Sequence, residues 1–259
     1  MGHTLFSLDG FFLGVRRGET PLFKVLKTSA RRMMKVNLPV PRSIKPIGRL
    51  LYELRIFTPI VWRRLKCALW CHPIFACRCE ALGKGLELEA LPCVEGHTSI
   101  YIGNDVRFSG ALTISSGRFD DHPSLRIGDR SFLGHNVTII CNREVVIEED
   151  VLIAGHCKIS DYDGHPSNLE KRLGDSPPDR RDIRPVRICR GAWIGVGSTI
   201  MKGVTVGEGA VIGAHSVVTN DIPAYSVAAG SPARVVKQVE AVPASVWHPS
   251  QAAELAGIL

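Results

Sequence analysis

The sequence predicts an all-β chain wound as a parallel β-helix of about six triangular coils, behind a basic, partly helical N-terminal extension. Two observations predict it. From Ile188 onward an aliphatic residue occupies every sixth position: Ile188, Ile194, Ile200, Val206, Ile212 and Val218. Upstream the same step recurs in triplets, with an interruption after each third rung. Helices repeat at about 3.6 residues and ordinary strands at about 2. A period of six therefore describes a chain that turns a corner every six residues and buries one side chain per side. The turn spacing of a β-sandwich, about 8 to 12 residues, does not fit this register.

The first element is the extension, residues 1–80. It holds 15 Lys or Arg against four Asp or Glu, a net +11; the whole chain is +7, so the remainder is 7 − 11 = −4. No run of 18 apolar residues occurs, and the start of the chain lacks the basic, apolar and small-residue order of a signal peptide, so the expected compartment is the cytoplasm. Leu50, Leu51, Leu54 and Phe57 fall at helical spacing over residues 47–57. Thr58 and Pro59 read as the N-cap and first position of a second helix running through Trp62, Arg63, Arg64, Lys66 and Trp70. The apolar faces of these helices are expected to cap the open end of the β-helix, a position that also lets the basic surface meet the inner face of an anionic membrane. Nucleic acid is not an expected partner, because no recognition motif accompanies the charge. Eight scattered cysteines form no secreted-type framework, and Cys67, Cys71, Cys77 and Cys79 lack the paired spacing of a zinc site; no metal is expected.

The coils follow, over residues 81–237. Their rungs are Leu82, Leu88, Val94; Ile102, Phe108, Ile114; Ile127, Leu133, Ile139; Ile147, Ile153, Ile159; and the six C-terminal rungs, which make two more coils. Beyond the regular six-residue step, the successive interruptions add 2, 7, 2 and 23 residues, so all are expected to leave from one vertical edge. Gly195, Gly207 and Gly213 follow rungs, and Asn104, Asp105 and Asp129 lie near corners, where a positive φ or a side chain bonding its own backbone is expected.

The longest interruption, residues 160–187, is polar and Pro-rich, and a long arm on a regular solenoid is where function concentrates. It places Asp161, Asp163 and His165 within five residues. A loop imidazole with carboxylates nearby has the parts of a general base and its orienting group. After the last rung the chain leaves the repeat through Pro223 and reaches Arg234 and Lys237 beside a Gly-rich turn, suited to phosphate groups or else solvated charges at a helix end. Residues 238–259 read as a tail.

The stretch WIGVGSTIMKGVTVGEGAVIGAHSVVTNDIPAYSVAAGSPARVVK, preceded by a loop containing DGHP, resembles the hexapeptide-repeat O-acetyltransferases, which include galactoside and maltose acetyltransferases and enzymes of polysaccharide biosynthesis. The resemblance covers about residues 125–237. It implies a left-handed β-helix, a homotrimer, acetyl-CoA as donor, a sugar or glycan hydroxyl as acceptor, and active sites between subunits. It further implies that His165 is the catalytic base, oriented by Asp161 or Asp163. Trp193 and Gly195 of the WIG motif, with Ala214, Thr219, Asn220, Arg234 and Lys237, would hold the coenzyme. Val196 replaces the family's serine, and Gly134 its acceptor-binding asparagine, leaving Asn136 as the nearest candidate. Two rivals share the fold: a γ-type carbonic anhydrase-like metalloenzyme, prompted by His135 and His156 in adjacent coils, and a non-catalytic scaffold.

Overall fold

The computed structural model describes residues 17, 20–33, 41–117, 122–174 and 180–241. The chain divides into two compact units, Met1–Phe57 and Thr58–Leu259. The expected tail beyond residue 241, and parts of the extension and of the long loop, lie outside the described residues.

In the first unit α1 spans Pro21–Met33, and α2 begins there and runs over Lys45–Lys66. The expected break at Thr58-Pro59 is corrected: Pro59 lies inside a continuous α2. Proline removes one backbone donor, but the apolar spacing continues in phase across it, at Phe57, Val61, Trp62 and Leu65. A π-helical turn, Cys67–Cys71, and a short α3, His72–Ala76, follow. Here the capping expectation is corrected in its location. Buried Phe75 closes the first coil, with its ring 6.1 Å from Phe108 in an edge-to-face contact, whereas α2 buries none of its side chains.

The strands then wind as six coils. The first holds β1 (Ala81–Leu82), β2 (Glu87–Leu88) and β3 (Cys93–Glu95); the second β4 (Ser99–Ile102), β5 (Arg107–Phe108) and β6 (Leu112–Ser115). The third holds β7 (Ser124–Ile127), β8 (Phe132–Leu133) and β9 (Val137–Ile140); the fourth β10 (Glu144–Ile147), β11 (Leu152–Ile153) and β12 (Lys158–Ser160). The fifth holds β13 (Val186–Ile188), β14 (Trp193–Ile194) and β15 (Thr199–Ile200); the sixth β16 (Thr205–Val206), β17 (Val211–Ile212) and β18 (Val217–Val218). Every third strand stacks in parallel, giving three faces of a left-handed prism. The rungs pair in the predicted register: Ile102 with Ile127, Ile127 with Ile147, Ile147 with Ile188, and Ile188 with Val206. Each buried Ile contributes about 2–3 kcal/mol, and no coil buries its rungs without neighbours. The interruptions between coils all run from the third face to the first, so they do share one edge.

After β18, Ile222 bridges Val206 and starts a partial seventh coil. β19 (Ser226–Gly230) pairs parallel with β17, and β20 (Ala233–Gln238) turns back antiparallel on β19. Arg234 and Lys237 therefore lie on an edge strand rather than at a helix end.

The corner chemistry differs from expectation in an instructive way. Gly195 and Gly207 do not have positive φ. They are glycines because the next coil passes too close for a Cβ, which would lie 2.6 Å from the Ile212 carbonyl oxygen at Gly195 and would collide with the Ala224 nitrogen at Gly207. Positive φ does fall at Asp105 (54°), as expected, and also at Asn136 (56°). Asn104 and Asp129 bond the neighbouring coil, not their own backbone: Lys84 N–H donates to Asn104 Oδ1 (3.0 Å), and Asn104 N–H to Asp129 Oδ1 (2.7 Å).

Candidate active site

The third-to-first edge carries the loop with His165. Its root is Asp161, which is fully buried. The Asp161 carboxylate receives the backbone N–H groups of Asn142 (2.9 Å), Arg143 (2.6 Å) and Glu144 (3.1 Å), the corner of the coil before it. Burial pushes its carboxyl above the usual range, and these amide donors pull it back. Asn142, also buried, accepts Gly117 N–H on its side-chain oxygen (2.6 Å), so a polar column runs down this edge through three coils. The Asp161 carbonyl accepts Arg184 N–H (2.9 Å), which ties the returning strand of the loop to its start.

Past this root, Ser160 and buried Tyr162 bond one another, and Gly164 takes a φ of 98°. Asn168 caps α4 (Leu169–Leu173), accepting Lys171 N–H at 3.0 Å. The Arg172 guanidinium donates back to the carbonyls of Pro166 (3.2 Å) and Ser167 (3.3 Å), bracing the turn that presents His165. The imidazole itself is exposed, and among the described residues no hydrogen bond holds it.

Neither carboxylate offered as its orienting group serves that role within this chain. Asp161 spends its oxygens on the corner amides, and Asp163 pairs with Lys202 Nζ at 2.7 Å. Both are positioning residues of the loop rather than partners of the base. Sequence reading missed Asn142 and Lys202; the one signal for each was a polar residue next to the end of a third-face strand, on the edge where insertions leave.

The coenzyme candidates lie mostly on the second face. Trp193 is half exposed and stands in an outward row with Leu152 and Val211, its register neighbours. Lys237 continues the row, paired with Val227, which pairs with Val211. Trp193 and Lys237 are thus three strands apart, roughly 14 Å. Arg234, also exposed, sits opposite Ala229 on the same hairpin, so β20 presents two cations and no carboxylate. Gly195 is buried, and its lack of a side chain is a stacking requirement.

Asn136 and Ala214 are exposed on the edge between the second and third faces, while Thr219 and Asn220 are exposed on the third-to-first edge with the His165 loop. The strands of the third face separate the two groups. On the second-to-third edge His135 meets Ser109 Oγ (3.1 Å) and Glu89 (3.6 Å), and its carbonyl accepts His156 N–H (2.7 Å). Among the described residues no three His, Cys, Asp or Glu converge as a metal site. The thiols of Cys141, Cys157 and Cys189 are pushed upward by burial, and Cys79 to about 11, which keeps them protonated at neutral pH.

Residues 185–220 match the family model described as bacterial transferase hexapeptide (six repeats). A probable acetyltransferase of Mycobacterium tuberculosis, Rv3034c, is 35% identical over 200 residues, covering 76% of this chain and 62% of its own length. The chain carries the hexapeptide repeat of that family. It is also 38% identical over 116 residues to the galactoside O-acetyltransferase of Escherichia coli (45% of this chain, 55% of that one). It is 36% identical over 146 residues to the serine acetyltransferase of Haemophilus influenzae (54% and 49%). This hexapeptide-repeat chain thus spans about half to three-fifths of the length of these relatives. In fold it is similar to a variant of AntD, an N-acyltransferase from Bacillus cereus, in a structure with dTDP-4-amino-4,6-dideoxyglucose and coenzyme A. The TM-score is 0.53 at 18% identity, over 72% of this chain and 93% of that one.

Proposed function

We propose that this protein transfers an acetyl group from acetyl-CoA to a hydroxyl of a sugar or glycan precursor, working as a homotrimer with His165 as general base. The observation that carries this reading is His165 itself, presented in solvent by a braced loop on the third-to-first edge, across the prism from the coenzyme-sized row of the second face that ends in Arg234 and Lys237. Similarity to a galactoside O-acetyltransferase supports the acceptor class.

In the reaction His165 takes the proton from the acceptor hydroxyl as its oxygen attacks the thioester carbonyl. The C–S bond breaks, the acetyl group passes to oxygen as an ester, and the imidazolium returns its proton to the departing thiolate. Backbone N–H groups at the corners suit the developing oxyanion. Trp193 would line the pantetheine arm, and the two cations of β20 the phosphates. No cysteine nucleophile is called for, because the acetyl group passes directly to the acceptor oxygen.

The separation of the candidate residues supports a trimer. A face about six residues wide spans roughly 20 Å, which separates Asn136 and Ala214 from Thr219, Asn220 and the His165 loop in one protomer. Rotational packing of three copies sets one edge of a prism beside another edge of its neighbour and assembles the two groups. The test is a panel of hexosides, a nucleotide-linked amino sugar and serine, each offered with labelled acetyl-CoA, with the product identified by mass spectrometry. An alkali-labile sugar ester is expected; an amide product, or transfer to serine alone, overturns the acceptor assignment.

A further inference from the structure

Helix α2 carries its amphipathic pattern the wrong way round for a helix that belongs to a core. Ile47, Leu50, Leu51, Phe57, Trp62 and Leu65 fall within an arc of roughly 140° at 100° per residue. All of them are exposed, Trp62 by 70% and Leu51 by 61%. Six cations (Lys45, Arg49, Arg55, Arg63, Arg64 and Lys66) and a single carboxylate, Glu53, occupy the rest of the circumference. In the segment after Thr58, the side turned towards the β-helix is the polar one. Ile60, Arg63 and Arg64 line a cavity of about 530 Å³ with Leu86, Glu87 and Glu89, and Arg63 Nη2 lies 3.7 Å from Glu89 Oε1. The apolar stripe is exposed along its length and continues into Leu69 (77% exposed).

A stripe this long and this exposed calls for an apolar surface beyond the protein. We infer that α2 lies along an anionic lipid surface, its stripe set into the headgroup boundary and its flanking Arg and Lys side chains on lipid phosphates or carboxylates. Charge selects this occupant. A second copy of the helix would bring net +5 against net +5 (six cations less one carboxylate in each), whereas an anionic bilayer supplies the opposite sign. No described helix is long and apolar enough to cross a membrane, so the contact is peripheral. It stands independently of the reaction proposed above.

The test is flotation of the full-length protein with vesicles of phosphatidylcholine alone or with about a third phosphatidylglycerol. Flotation is expected only with the anionic vesicles. Leu50→Glu with Trp62→Glu should abolish it, and each of Arg49→Gln and Arg55→Gln should lower partitioning about fivefold. All four positions are exposed, so thermal unfolding should stay at the wild-type temperature. Absence of flotation with anionic vesicles, or equal flotation of the Leu50 and Trp62 double variant, overturns the proposal. So does a double variant whose main change is a smaller assembly by light scattering, which would assign the stripe to a second copy.

Discussion

Replacing Asp161 with alanine tests whether this carboxylate is a strut of the fold or part of the chemistry. The change removes the acceptor for three backbone N–H groups, those of Asn142, Arg143 and Glu144. A buried donor left unsatisfied costs about 1–3 kcal/mol. Asn142 is buried and Glu144 partly so, while Arg143 is exposed and its amide can turn to water. Two donors at about 2 kcal/mol each, less the relief of no longer burying a carboxylate, give a net loss of about 3 kcal/mol. For a domain of this size that lowers the unfolding temperature by about 6–12 °C. Asp161→Asn keeps one acceptor but points an amide NH₂ at the donors, and should lie between alanine and wild type. Calorimetry measures the loss, and hydrogen exchange should localise it to residues 142–144 and the loop root. Wild-type stability in Asp161→Ala, with turnover lost, would refute the strut and return Asp161 to the active site.

Two further predictions concern the assembly and the thiols. Refolding an equimolar mixture of His165→Ala and Ala214→Glu chains should restore about a quarter of wild-type activity, because random trimers re-create intact sites only where His165 and Ala214 come from different copies; no recovery above either variant alone would place the site within one chain. Iodoacetamide at pH 7.5 should label exposed Cys77 and Cys93 well before the buried Cys67, Cys71, Cys141 and Cys157, with transfer activity retained, as read by peptide mass spectrometry. Loss of activity on modifying a single thiol would argue for a covalent acyl-enzyme.

The register of the β-helix was readable because each side buries one position, so Ile127, Ile147 and Ile188 announce themselves by spacing alone. Counting the interruptions located the shared edge and the loop with His165 for the same reason. What spacing cannot carry is contact between coils. The occupation of Asp161 by amides 17 to 19 residues away, the pairing of Asp163 with Lys202 and the crowding that demands Gly195 all depend on which residue the next coil places overhead. The passage of α2 through Pro59 was misread because a Thr-Pro pair is a strong local start signal, and an unbroken apolar stripe outweighs it. The capping role went to Phe75, which is buried, whereas α2 buries none of its side chains.

Acetyl transfer with His165 as base is tested most directly by comparing wild type and His165→Ala in release of free CoA thiol from acetyl-CoA, with and without a hexoside acceptor. The account predicts acceptor-dependent release by the wild type. It predicts turnover lowered about 10²- to 10⁴-fold in the variant, with the unfolding temperature and CoA affinity unchanged because His165 is exposed and outside the coenzyme row. Full turnover by His165→Ala would contradict it.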